Sequence, residues 1–307
     1  MEKNILVAID GSVSSCNSLD YLAKLFGPDS GLSIHLFSVV SAGGAGKDWM
    51  YDVDPHRPQS AASEKQAHLA RKHLREAEDR LIRNGFTKER ITSGVKVASG
   101  VGASICGEAE RGNYDSVLIG RRGLGAMGNM FFGSTSGELI EKCHKIPLWI
   151  VDGNVSSNRF LLAVQSQPAS LMAADHLAFI LKDHPRAEIC LYHSNSVFGK
   201  QQPAAPEAFH AQWGKAWCDQ YLDLDNFLFY AHAQLLVDNG IARHRITQLP
   251  TQMHLDVGTD LLRQAKQHNC GTIAIGRRRR DGSKGQIKGV SDKTLNQAQD
   301  IAVWLAG

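Results

Sequence analysis

The sequence predicts an α/β chain made of two copies of one doubly wound, five-stranded parallel-sheet domain, at residues 1–152 and 153–307. Two observations carry that expectation. The first is an internal repeat. Asn4–Ser12 (NILVAIDGS) matches Arg159–Gln167 (RFLLAVQSQ) at an offset of 155. Leu81, Asn84, Gly85, Arg90, Ile91 and Thr92 match Leu236, Asn239, Gly240, Arg245, Ile246 and Thr247 at the same offset. Ser116–Gly123 (SVLIGRRG) matches Thr272–Arg279 (TIAIGRRR) at 156. Matches at one spacing along a whole chain indicate two copies of a fold. The second observation is alternation: short apolar runs exchange with amphipathic helical patterns, the order of a parallel sheet covered on both faces.

The elements follow in order. Ile5–Ile9 is continuously apolar, as a strand buried on both faces must be. A helix over about 15–26 is predicted because Leu19, Leu22, Ala23 and Phe26 fall on one face. Residues 32–40 (LSIHLFSVV) read as the second strand, followed by a polar loop over 41–61. A long helix over 62–84 opens on Ser63 with Gln66 three residues on, a capping box, and closes at Asn84-Gly85. A third strand near 91–98, a short helix over 102–112, a fourth strand at Ser116–Gly120, a helix over 134–144 and a fifth strand at 147–151 complete the copy. The turn-rich stretch 152–158 (DGNVSSN) separates the copies. In the second copy, 207–240 reads as one long helix whose Trp213, Trp217, Tyr221 and Phe227 pack into the core or between copies.

Composition bounds the function. Apolar residues at 43% and charged residues at 21% describe an ordinary globular chain. A net charge of +3 gives nucleic acid and membrane surfaces no particular attraction. No apolar run reaches the length of a membrane span, and the N-terminus reads as a strand rather than a secretion signal. Cys16, Cys106, Cys143, Cys190, Cys218 and Cys270 are scattered, which fits a reducing cytoplasm and excludes zinc-site spacing. Thirteen histidines form no metal motif, so no metal site and no catalytic residue is expected from them.

In a doubly wound sheet, ligands sit outside the carboxyl ends of the strands, where strand order reverses. That places four clusters together in the first copy: Ala8, Ile9, Asp10, Gly11 and Ser12; Val39 and Val40; Gly100–Gly102; and Ile119 through Ser136. The last contains Gly123-Leu-Gly125-Ala-Met-Gly128, a literal G-x-G-x-x-G. It follows the fourth strand instead of the first, however, which is the wrong place for a dinucleotide turn. A Walker A loop is absent. The second copy retains Gly276 and Gly289 opposite Gly120 and Gly133, but has Arg279, Asp281 and Lys284 opposite the inner glycines. The shared frame is therefore Gly120-x-x-Gly123, nine residues, then Gly133-Ser134.

That frame resembles the nucleotide signature of the universal stress protein family, G-2x-G-9x-G-(S/T). NILVAIDGS and IHLFSVV are similar to the family's first two strands. The resemblance spans both halves and is weaker in the second. It implies a tandem member with an adenine-nucleotide alpha-hydrolase-like fold, binding ATP in the first copy, with ADP or AMP as alternatives and Mg accompanying ATP. It implies that backbone near Val39 reads the adenine and that Asp10 accepts from base or ribose. Arg121 and Arg122 would cover phosphate oxygens. Gly133, Ser134, Thr135 and Ser136 would present amides and hydroxyls at a helix start, where anions are favoured. Gly120 and Gly123 would free the loop to fold over the phosphates. The bland alternative is a turn followed by a Ser134 or Thr135 cap with Glu138 completing a box.

Little or no catalysis is expected, because the glycine-rich segment offers Ser, Thr, Arg and Asn129 but neither carboxylate nor histidine. Slow ATP hydrolysis and a nucleotide-free scaffold stand as alternatives; DGSVSS (10–15) matches neither of the usual loops of nucleotide-alpha-hydrolysing enzymes. The second copy replaces Asp10 by Gln165, Gly123 by Arg279 and Ser134 by Val290, so weak or absent ATP binding is expected there. Its basic run Arg277–Arg280 with Lys284 and Lys288 reads as a solvated face or an anion contact, and His193 as a satisfied core histidine. The resemblance further implies an intramolecular pseudo-dimer of the copies. The apolar strands 147–151 and 301–305 offer edges for pairing, a homodimer included.

Overall fold

The computed structural model describes residues 2–27, 31–41, 61–121, 134–197, 202–277 and 289–307, without the side chains of 61, 62 and 134. The chain divides into two compact units, Met1–Ile146 and Pro147–Gly307. Among the described residues no helix is long and apolar enough to cross a membrane.

The first unit runs β1 (Lys3–Ala8), α1 (Val13–Leu25), β2 (Leu32–Ser41), α2 (Ala61–Arg83), β3 (Ile91–Ala98), α3 (Val101–Arg111), β4 (Ser116–Gly120) and α4 (Ser134–Lys142). Its strands lie in the order β3-β2-β1-β4, all parallel. Strand order therefore reverses between β1 and β4. Ile5, Leu6, Val7, Val117 and Leu118 are completely buried, as continuous apolar strands inside a two-faced sheet should be. Helix α2 begins at Ala61, so Ser63 lies inside the first turn and is not the cap that the Ser63–Gln66 spacing suggested.

The second unit contains β5 (Leu148–Val151), β6 (Arg159–Ala163), α5 (Pro168–Leu181), β7 (Glu188–Tyr192), β8 (Ser194–Ser196), α6 (Glu207–Trp213), α7 (Lys215–Tyr221) and α8 (Phe229–Asp238). It continues with β9 (Ile246–Gln248), β10 (Gln252–His254), α9 (Val257–Gln267), β11 (Thr272–Gly276), α10 (Val290–Gln297) and β12 (Ala302–Ala306). Strands β9-β7-β6-β11-β12 are parallel, and order reverses between β6 and β11.

The apolar strands 147–151 and 301–305, expected to offer edges for pairing, do pair: β5 groups with the second unit and runs antiparallel on β12, with Trp149 opposite Trp304. These two indoles stack at 4.0 Å with planes 2° apart, and the Trp149 Nε1–H donates to His176 Nε2 at 3.0 Å. Pairing these two apolar strands buries both indoles, which draws β5 into this unit. His176 is enclosed and its pKa is pushed down to about 3 by burial, so it accepts that bond as a neutral ring.

One expectation is corrected: 207–240 is three helices and not one. Gly214, at φ +78, separates α6 from α7, and a turn over 222–228 separates α7 from α8. Phe227 and Leu228 sit in the left-handed region, at φ +58 and +62. These backbone angles end a helix.

Candidate functional site

The candidate site lies at the carboxyl ends of β1, β2 and β4. The main chain of β1 ends there with Ile9 N–H donating to Phe37 O at 2.9 Å. Gly11, at φ +79, then turns the chain into α1. Ser12 caps that helix, accepting from Ser15 N–H at 3.2 Å, and its own N–H donates to Asp10 Oδ1 at 2.9 Å. The Asp10 carboxylate is exposed while this bond fixes its direction. A carboxylate has roughly four acceptor positions, so most of its capacity remains for a ligand.

Strand β2 outruns β1. It stays paired with β3 as far as Ser41 opposite Ala98, whereas its pairing with β1 ends at Phe37 opposite Ala8. In a parallel ladder, the N–H and C=O of one residue face the same neighbour, and successive residues alternate. Phe37 faces β1, so Val39 faces the same way, beyond the point where β1 has ended. Val39 is half-buried and Val40, facing β3, is buried. A main-chain donor and acceptor beside an exposed carboxylate can read the edge of a planar heterocycle.

The structure gives Gly120 a different reason from the one its motif suggested. A Cβ there would lie 2.6 Å from the Ser14 carbonyl carbon, so the glycine admits the first turn of α1 against the end of β4. Gly276 does the same in the second unit, where a Cβ would lie 2.3 Å from Ala169 O. This packing explains why both copies retain the residue although only one retains the inner glycines. Arg121 and its counterpart Arg277 are both buried, each 7% exposed. Ser136 is buried too, its hydroxyl shared between Gly120 O and Arg121 O at 3.4 Å each, so it ties α4 to the end of β4.

Gly102 is likewise engaged within the protein. Its N–H donates to Glu138 Oε2 at 2.9 Å, and a Cβ would sit 2.8 Å from the Glu138 side chain. Glu138 therefore does not complete a box at the start of α4; it seats on the start of α3. Lys142, at 3.0 Å, and the α3 amides hold its carboxyl below the usual glutamate range. Thr135 lies in the first turn of α4. Arg122, Gly123, Gly133 and Asn129, the side chain of Ser134, and most of the 41–61 loop lie outside the described residues. So do Arg278–Arg280, Lys284 and Lys288 of the second copy.

Sequence reasoning missed His73. This α2 residue lies directly over Gly11: a Cβ on Gly11 would meet its ring atoms at 2.2 Å. The imidazole thus forms a wall beside Asp10 and Ser12. The available signal was Gly11 itself, whose missing side chain makes that approach possible.

In the second unit, Val164 N–H donates to Tyr192 O at 2.8 Å, the counterpart of the Ile9–Phe37 bond. Beyond it the units diverge. His193 is buried, with Nδ1 donating to Val164 O at 2.7 Å and Nε2 2.8 Å from Asn195 Oδ1, so it is a satisfied histidine as expected.

A family model described as the universal stress protein family matches residues 1–152. Among solved structures, a universal stress protein from Archaeoglobus fulgidus DSM 4304 is similar over 99% of this chain and 97% of its own, with a TM-score of 0.66 and 16% identity. A functionally unknown protein from Pseudomonas aeruginosa PAO1 is similar over 99% and 92%, with a TM-score of 0.59 and 12% identity. No curated protein is matched. The family match to the first copy, the internal repeat and a fold shared along nearly the full chain agree: this chain belongs to the universal stress protein family and has the α/β fold of its tandem members.

Proposed function

We propose that the first unit binds an adenine nucleotide at the carboxyl ends of β1, β2 and β4, and that occupancy serves a stress or signalling response with little or no catalysis. ATP is the expected ligand, with ADP and AMP as competitors and Mg accompanying the triphosphate. The observation that carries this reading is the overhang of β2 past β1, which leaves the Val39 main chain facing the crevice beside the exposed Asp10 carboxylate. Base and ribose would be held by Val39 and Asp10. The phosphates would lie toward Gly123, Gly133, Ser134 and Thr135, at the start of α4. His73 would close the side over Gly11.

Isothermal titration of the purified chain with ATP, ADP and AMP tests the reading. One nucleotide should bind per chain. A Gly133→Val, Ser134→Ala double variant should weaken ATP by at least about a hundredfold, or about 2.7 kcal/mol. Asp10→Ala should weaken all three nucleotides about equally. Unchanged ATP affinity in the double variant, or no binding at millimolar ATP in the parent, overturns the assignment. Incubation with labelled ATP separates a binder from a slow hydrolase.

A further inference from the structure

We propose that the second unit is occupied by its own chain, with the turn over 222–228 filling the crevice at the ends of β6 and β7 and Phe227 standing there in place of a planar ligand. The inference rests on the nucleotide reading of the first unit, whose crevice it maps onto through the repeat.

The Phe227 ring lies on the imidazole of His193 at 3.8 Å between centroids, with planes 10° apart. That imidazole in turn holds the Val164 carbonyl, the counterpart of the Ile9 carbonyl in the first unit. The strand-end carbonyl beside the base position is thus taken by a histidine, and the histidine's face by a phenyl ring. Neighbouring segments secure the cover. Ser166, opposite Gly11, donates its hydroxyl to Leu224 O at 3.3 Å and accepts Ala204 N–H at its carbonyl at 2.8 Å. Gln167, opposite Ser12, donates to Gln202 O at 2.9 Å.

The turn is held in an unfavourable conformation. Two successive non-glycine residues, Phe227 and Leu228, have positive φ, which persists only where the surroundings fix it. Asp223 accepts from Asn226 and Leu228 at its carbonyl, at 2.8 and 3.3 Å, and from Tyr230 N–H at Oδ2, at 3.0 Å. Leu228 O accepts from Nδ1 of the buried His232 at 2.6 Å, whose Nε2 meets Ser170 Oγ at 2.7 Å. Ser170 belongs to the first turn of α5 and also receives Gln165 N–H at 2.9 Å. The turn is therefore bolted to the β6–α5 junction through a buried serine–histidine pair.

The anion end is also self-supplied. Gly289, opposite Gly133, donates its N–H to Asp292 Oδ2 at 3.1 Å. A carboxylate of the chain thus sits at the start of α10, where the first copy's counterpart is Ser136.

The test uses the full-length chain carrying Asp10→Ala together with Gly133→Val and Ser134→Ala, so that both the nucleoside end and the phosphate end of the first site are disabled, and titrates adenosine, which needs no phosphate loop. With Phe227 present, no adenosine should bind up to about 1 mM. Adding Phe227→Gly, which removes the ring and suits the positive φ, should bring Kd at least about tenfold below that limit and give an adenosine-dependent rise in Tm. Phe227→Leu, which keeps apolar cover, should give a smaller gain and serves if the glycine variant does not fold. A folded variant that shows no gain overturns the proposal, as does stoichiometric adenosine binding with Phe227 intact. If the parent fails to bind ATP while Phe227→Gly gains adenosine, the first-unit reading falls and this one stands.

Discussion

The two units share a strand order and a first helix turn, yet they end their first two strands differently. In the first, β2 and β3 run on together past β1, carrying the Val39 main chain beyond the end of that strand. In the second, the matching ladder is broken. Strand β7 stops at Tyr192, His193 swings onto Val164, and the chain resumes as β8 paired with β10, beyond the interruption at Pro250. Among the described residues, one copy ends β2 as a continuous strand beyond β1, and the other breaks it at His193 and pairs its continuation with β10. The difference teaches that a repeat preserves packing glycines longer than ligand contacts, because losing the former costs the fold itself.

The largest expected separation between the units is in acid. His232 and His176, both enclosed in the second unit, have pKa values pushed down by burial to about 4 and about 3. The unfolded chain takes up a proton on each near pH 6.5, while the folded chain does not. Stability is therefore intact above pH 6.5 and falls as pH drops below it, until the folded value is reached. At pH 5 the loss should be about 2 kcal/mol per histidine. Hydrogen exchange between pH 7 and pH 5 should show amides of the second unit losing protection before those of the first. Equal loss in both units would break the comparison.

Next in size are the packing glycines. Gly120→Val and Gly276→Val should each destabilise by about 3 kcal/mol, since the added carbons meet helix backbone that cannot yield. A drop in the denaturation midpoint for both, with nucleotide binding at stake only for the first, identifies the shared role. If Gly120→Val were fully stable and merely lost nucleotide, the packing account would be wrong.

A smaller effect is expected at Gly11. Gly11→Ala should cost about 1–2 kcal/mol from its positive φ, plus contact with His73. Combining it with His73→Ala should recover the contact part alone, a non-additivity that a double-mutant cycle reads directly.

The smallest is Glu138→Gln, at about 0.5–1 kcal/mol, because Lys142 is exposed and solvent screens the pair. The folded Glu138 carboxyl is held low, so its contribution is present above the ordinary glutamate range and lost as pH falls through the folded value. The second unit solves the same junction with reversed charge. Asp256 caps α9 and receives Lys293 of α10 at 2.6 Å, which holds its carboxyl low as well. Both variants, Glu138→Gln and Asp256→Asn, should flatten the acid limb of a Tm–pH profile.

Much of the fold was legible because parallel strands announce themselves as apolar runs and the repeat supplied two readings of each element. Strand 91–98 was placed at both ends. What escaped has physical causes. Asn226 is a natural left-handed residue, but the positive φ falls on Phe227 and Leu228, apolar side chains that give no warning of it. The apolar strands 147–151 and 301–305 could be singled out for pairing, but the antiparallel register that sets Trp149 opposite Trp304 is fixed only by tertiary contact. At the candidate site, the places of Asp10 just past β1 and of Val39 near the end of β2 were legible from the strand pattern. The engagement of Gly102 by Glu138, and of Ser136 by strand-end carbonyls, depends on how α3 and α4 pack and is invisible to motif spacing.

The stacked indoles of Trp149 and Trp304 carry a practical lesson about dissecting this protein. A fragment cut at the repeat boundary, starting near residue 153, would be robbed of β5 and left with Trp304 facing solvent along a bare strand edge. Begun at Pro147 instead, the same piece takes its own lid with it. The second compact unit thus begins one strand ahead of the sequence repeat.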